Sequence, residues 1–292
     1  MVQQVQDFYT VSPLPVTAEH VLAGRIVRIN PALVTLLDGR LDTTPVRQLQ
    51  DEVFLQVRKL LQQKKIKTFH VDINVSDYSG FGNNRPGDNT AVFDPDFLAE
   101  LNREIRRCDG YLNVHFLTND PLKQLEQYRK LEECAICYQL EVLADDAVHR
   151  RLLRLIERQG SCASPVLEIF GPGNSAAVPR KKTYATIKPF FSELAMLTFQ
   201  AEQTAARSTS AQGALATQPV REYISFFRRQ FSGAIQIQGG VKRATIAAAA
   251  ALGADFLVCG TDIFRSREHS PEEMVDILLE DMLPGCLGRL DQ

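Results

Sequence analysis

Eight short apolar runs separated by helix-forming stretches constrain this 292-residue chain more than any other feature. They cover residues 26–34, 67–74, 111–117, 135–140, 166–170, 194–199, 234–237 and 256–259. Continuous apolar runs of this length, alternating with helices, read as parallel strands covered on both faces. The intervening segments carry helix-start signals: Thr44-Pro45, Asp94-Pro95, Asp120-Pro121 and Ser270-Pro271 each place a capping side chain before proline. The cap satisfies a free N–H, and proline at the first helical position needs none. Ser270 with Glu273 also fits a capping box. Residues 145–159 set leucines against arginines, and residues 245–252 hold five consecutive alanines, the best helix former. Eight strand–helix units predict a (β/α)8 TIM barrel, whose usual size is about 250 residues. The remainder is expected as an N-terminal extension, 1–24, before one barrel domain, 25–292, with enlarged loops after strands two and six. An open doubly wound sheet is the alternative; no G-x-G-x-x-G follows the first run, which counts against a dinucleotide fold.

The balance of charges, −2, gives no electrostatic footprint for nucleic acid or an anionic membrane. No apolar run reaches bilayer-spanning length. The first residues lack the basic and apolar regions of a signal peptide, so a cytoplasmic protein is expected. Cys134-Ala-Ile-Cys137 is a lone C-x-x-C in an apolar run and reads as buried reduced thiols.

Within the second run, His70 and Asp72 stand two residues apart, so a strand points both to one face. His115 holds a comparable place in the third run. Two imidazoles and a carboxylate form most of a metal site; the alternative is three satisfied core polar groups. After the seventh and eighth runs come two glycine turns, Gln238-Gly-Gly-Val241 and Cys259-Gly-Thr-Asp262. In barrels, these two loops often bind phosphate through backbone N–H groups. Gly239, Gly240, Gly260 and Thr261 are therefore the candidate phosphate or substrate contacts, with Lys242 or Arg243 offering charge. The loops at 76–92 and 201–217 are long enough to be substrate loops or lids.

Taken together, these residues resemble the ribulose-phosphate 3-epimerase family, which includes allulose-6-phosphate 3-epimerase. The likeness spans about 29–264. His70-Val-Asp72 is similar to the family's H-x-D, and Val114-His115-Phe-Leu to its V-H-L-M. Gln238-Gly-Gly-Val241, Gly253-Ala-Asp and Val258-Cys-Gly-Thr-Asp-Ile-Phe264 are similar to D-G-G-V, G-A-D and the V-x-G-[ST]-x-[IL]-F ending. Asn30-Pro31-Ala-Leu is similar to P-S-I-L, and Gln139-Leu-Glu141 stands where the family has H-x-E.

The resemblance implies a ketose-phosphate 3-epimerase or isomerase with a small-molecule sugar phosphate substrate, a divalent metal (Zn, Mn or Fe) and, by family analogy, a homo-oligomer. His70, Asp72 and His115 would hold the metal, which polarises the C2 carbonyl and stabilises an enediolate. Asp72 would take the C3 proton. A second acid on the opposite face returns it, because inversion needs exchange on both faces.

The departures are specific. Gln238 replaces the second catalytic Asp, and an amide does not titrate. Ala32 replaces Ser, Leu117 replaces Met, and Ala201-Glu-Gln-Thr-Ala205 replaces the P-G-F-G-G phosphate loop. Glu141, Glu168 and Glu202 are candidates for the missing acid. Two further readings follow. One is a non-catalytic phosphosugar-binding protein on a degenerate barrel. The other is an enolate-forming keto-acid phosphate decarboxylase: residues 72–77 outline D-x-K-x-x-D, with Asn74 where the proton-donating lysine belongs.

Overall fold

The computed structural model describes residues 27–62, 66–76, 78–79, 87–170, 177–201, 215 and 217–287. Its strands are β1 (Arg28–Pro31), β2 (Thr68–Asn74), β3 (Tyr111–Leu117), β4 (Ala135–Gln139), β5 (Cys162–Glu168), β6 (Met196–Gln200), β7 (Ala234–Gln238) and β8 (Phe256–Cys259). The helices used below are α1 (Val46–Gln62), α2 (Pro95–Arg107), α3 (Pro121–Gln127), α4 (Asp146–Arg158), α5 (Arg180–Ile187), α6 (Gln218–Gln230), α7 (Arg243–Ala251), a short α8 (Thr261–Arg265) and α9 (Pro271–Leu287).

All strand pairs are parallel, in the order β1-β8-β7-β6-β5-β4-β3-β2. The two ends of that sheet meet through a single parallel bridge between Ala32 and His70, and the Thr68 hydroxyl donates to the Ile29 carbonyl across the same seam at 3.2 Å. The fold is the (β/α)8 TIM barrel. The expected extension at 1–24 and most of the two long loops lie outside the described residues.

Local chemistry explains the helix starts. Asp94 accepts from the N–H groups of Asp96 and Phe97, and Asp120 from that of Lys123. Ser270 and Glu273 complete the capping box reciprocally at 2.8 and 3.2 Å. Two strands differ most from the sequence expectation. β1 stops at Pro31, because the chain turns at once into a 3-10 helix, Leu33–Leu37. β5 begins at Cys162 rather than 166 and passes through Pro165, which pairs in register with Tyr138. Proline gives up one ladder hydrogen bond there.

The larger core lies between sheet and helices and includes Val53, Phe69, Leu101, Val114, Ile136, Ile224 and Ile246. The barrel interior is ordered by strand position. The first residues of five strands, Tyr111, Ala135, Cys162, Met196 and Phe256, form an apolar floor, in contact above with Cys137 and Val166. Third residues form a polar waist: Asn30, His70, Asn113, Cys137, Ser164, Thr198 and Gln236. Fifth residues line the mouth: Asp72, His115, Gln139, Gln200 and Gln238, with Glu168 at the end of β5. Cys134 and Cys137 are buried free thiols, both pushed up to about 12 by burial, so they are inert at neutral pH.

Candidate active site at the barrel mouth

β2 and β3 run in register, with Asp72 opposite His115 and His70 opposite Asn113. That register brings the three expected residues together. His115 Nδ1 lies 2.9 Å from Asp72 Oδ1, and His70 Nε2 lies 3.1 Å from the same oxygen. One ligand atom from each lies within 4.8 Å of the others, a spacing that can hold a metal ion. Both imidazoles are buried, whereas the Asp72 side chain keeps 20% of its surface accessible, so the carboxylate faces the mouth.

Electrostatics follow from this packing. Burial alone pushes the Asp72 carboxyl upward, but electrostatic attraction to His70 and hydrogen bonding with both imidazoles outweigh it, holding the carboxyl well below its ordinary range. His115 is lowered, chiefly by burial, against the pull of Asp72.

The opposite arc is made of amides. Gln238 is buried, and its side-chain N–H donates to Gln200 Oε1 at 2.6 Å. The same nitrogen lies 3.2 Å from His115 Nδ1. Gln238 Oε1 has no hydrogen-bond partner among the described residues, and neither have Gln139 Oε1 or His115 Nε2. Gln139 donates to Glu168 Oε1 at 3.2 Å. On the rim, the buried Tyr78 hydroxyl donates to Glu141 Oε1 at 3.1 Å. The Glu141 side chain reaches solvent, yet crowding by surrounding protein raises its carboxyl above the ordinary value. Of the three acids considered as replacements for Gln238, Glu141 and Glu168 stand at the mouth; Glu202 lies outside the described residues.

Two imidazole nitrogens and a carboxylate, with an unpartnered amide oxygen beside them, form a donor set that suits Zn, Mn or Fe.

In the glycine turn after β7, Gly239 and Gly240 have φ of 82° and 73°, the left-handed region. Gly260 is needed for a different reason. A Cβ there would lie 2.1 Å from Thr35 Oγ1, on the turn after β1. Thr261 opens α8. The positive charge offered by Arg243 is turned away, since its guanidinium pairs with Asp281 at 2.8 Å. Its backbone N–H donates to Asp262 Oδ2 at 2.7 Å, so a carboxylate already covers the start of α7.

Sequence reasoning missed the polar waist. Asn113 Oδ1 lies 2.7 Å from His70 Nδ1, and Asn30 and Gln236 join across the barrel at 2.9 Å. The signal was available, since each of these residues stands two places from a polar mouth residue or from the Ala32 bridge.

No protein-family model matches the chain, and no curated protein sequence does. Solved structures do match. Tryptophan synthase of Mycobacterium tuberculosis has a TM-score of 0.59 at 14% identity, covering 94% of this chain and 97% of that one. The tryptophan synthase alpha chain of Legionella pneumophila subsp. pneumophila gives 0.58 at 12%, covering 96% of each. The 3-hexulose-6-phosphate synthase of Salmonella typhimurium gives 0.54 at 11%, covering 89% of this chain and all (100%) of that one. At such identities the likeness is one of fold. No helix among the described residues is long and apolar enough to cross a membrane.

Proposed function

We propose that the chain is a divergent ketose-phosphate 3-epimerase or isomerase that works by proton abstraction next to a carbonyl. The observation that carries this reading is the convergence of His70, Asp72 and His115 at the mouth of a parallel barrel. A 3-hexulose-6-phosphate synthase among the similar folds is compatible with a phosphorylated sugar.

His70, Asp72 and His115 would hold a divalent metal, which when bound supplies Lewis-acid polarisation of the substrate carbonyl. Asp72 is the base: its carboxylate stays ionised at neutral pH and is the accessible member of the group. Gln238 occupies the position of the expected second acid and cannot exchange a proton, but its unpartnered Oε1 accepts from a substrate hydroxyl or joins the metal. The returning proton comes from the Glu141–Glu168 side. Glu141, raised by its surroundings and held by Tyr78, is suited to donate, and Glu168 lies behind it with Gln139 on one oxygen. The phosphate end is the pair of turns at Gly239, Gly240, Gly260 and Thr261, meeting the anion through backbone N–H groups. The reading includes one barrel domain over 25–292, a cytoplasmic setting and a homo-oligomer.

The test is solvent exchange. Purified protein, loaded in turn with Zn2+, Mn2+ and Fe2+, is incubated in D2O with a panel of pentulose and hexulose phosphates. Deuterium at C3, abolished by Asp72→Asn and reduced by Glu141→Gln or Glu168→Gln, is the expected result. No exchange with any sugar phosphate rejects the epimerase.

The amide at Gln238 favours a second reading, a non-catalytic phosphosugar-binding protein on the same barrel. It is distinguished by sugar-phosphate binding that survives Asp72→Asn, without turnover in either form.

A further inference from the structure

Barrel interiors are ordinarily filled by branched apolar side chains. Here, directly beneath the mouth, the waist is polar, and polar groups at such depth cost free energy unless matched; among the waist atoms Asn30 Oδ1 is one that has no partner among the described residues. The matching has a direction. Asn30 Nδ2 donates to Gln236 Oε1 at 2.9 Å. That leaves Gln236 Nε2 facing Thr198 Oγ1 at 3.2 Å and Asn113 Oδ1 at 3.5 Å. The Cys137 thiol also donates to Asn113 Oδ1, at 3.3 Å. Asn113 Oδ1 is thus ringed by donors, and the remaining group against it is His70 Nδ1, at 2.7 Å. An amide oxygen can only accept, so Nδ1 must carry the proton. Turning the Asn113 amide over would set its NH2 against the NH2 of Gln236 and cost the Cys137 thiol its acceptor, so Gln236 and Asn30 would have to turn with it. All three side chains are buried, between 0% and 2% accessible.

We propose that Asn113 is a positioning residue: its side-chain oxygen takes the His70 Nδ1 proton and so aims the His70 Nε2 lone pair at the point where Asp72 and His115 converge. With Nδ1 engaged by Asn113, Nε2 is the ring atom left to face Asp72 Oδ1, 3.1 Å away. A cation placed between them would take the Nε2 lone pair and the carboxylate together. The waist therefore fixes the tautomer a metal needs, as hydrogen-bonded partners behind ligating imidazoles generally do. The proposal rests on the metal-holding reading above, and it gives the polar layer a use.

The experiment measures affinity of the full chain for Zn2+ and Mn2+ by calorimetric titration, alongside ring-nitrogen NMR shifts of His70 with and without metal. Asn113→Leu should weaken binding by about 10–100-fold and shift His70 away from the Nδ1-protonated form. Asn113→Asp, which keeps an acceptor in place, should restore both. If Asn113→Leu does not fold, Gln236→Leu is read instead; it frees the Asn113 amide to turn and should weaken binding several-fold. Unchanged affinity and unchanged His70 shifts in the variant that folds overturn the proposal. If the wild-type chain binds neither ion, the metal reading falls, and the His70 shifts alone then decide: Nδ1-protonated in wild type and redistributed in the variant supports Asn113, identical spectra overturn it.

Discussion

Across the barrel mouth, the ends of β2 and β3 present a carboxylate pinched between two imidazoles, whereas the ends of β4, β6 and β7 present glutamines. Both arcs use the fifth residue of their strands, so the fold treats them alike. The difference lies in what each side chain can do with a proton. Asp72 and its neighbours settle their charges among themselves, in a cluster suited to a cation. The amides on the far side cannot change charge, and two of their oxygens are left without partners. A ligand in this mouth therefore meets charge and proton exchange at one edge and fixed dipoles at the other, with Glu168 and Glu141 as the acids behind the dipoles.

The largest effect should come from emptying the charged side. Asp72→Asn is expected to lower Zn2+ affinity by at least about 100-fold, since changes behind metal ligands alone reach 10–100-fold. Calorimetric titration checks this, and near wild-type binding would dissolve the contrast between the two arcs. Making the arcs alike should act in the other direction. Gln238→Asp sets a carboxylate beside His115 Nδ1, and roughly tenfold tighter metal binding is expected, as a charged ligand replaces a neutral one. Binding that is unchanged or weaker would mean Gln238 does not reach the ion. Gln139→Leu probes the amide side by itself. It strips Glu168 of a donor and removes an unmatched oxygen, so a stability change below about 2 kcal/mol in urea is expected, with metal affinity untouched.

The smallest effect concerns the rim. Glu141 is raised from 4.5 in the folded chain. Between its unfolded and folded values the folded chain holds a proton the unfolded chain has released, so stability falls as pH rises through that window. Glu141→Gln lacks this loss while keeping an oxygen for the Tyr78 hydroxyl. Its melting temperature should match wild type near about pH 4 and exceed it by about 1–2 °C near pH 7. A gap that widens toward acid instead would reverse the assigned direction.

Much of the scaffold was legible because local rules agree with the fold. β3 and β8 begin and end where the apolar runs do, and Asp94, Asp120 and Ser270 cap the helices their prolines announce. β5 starts four residues before the apolar run 166–170, because Cys162–Pro165 pair with β4 despite the proline. His70, Asp72 and His115 were legible as a trio because their residue types are costly to bury unmatched. Asn113, Thr198 and Gln236 were not joined to one another, since they stand on separate strands and only closure of the barrel makes them neighbours. The same holds for Gly260, whose missing side chain is explained by Thr35, more than two hundred positions away in the chain.

The clasp between Ala32 and His70 has a consequence for how this molecule breathes. Every other junction around the ring is a ladder of two to seven rungs, but here one rung joins the first strand to the second. Amide protons along that join should be the earliest in the sheet to trade with solvent. Since the histidine forming the rung also borders the mouth, anything that grips its ring from above also fastens the cylinder shut.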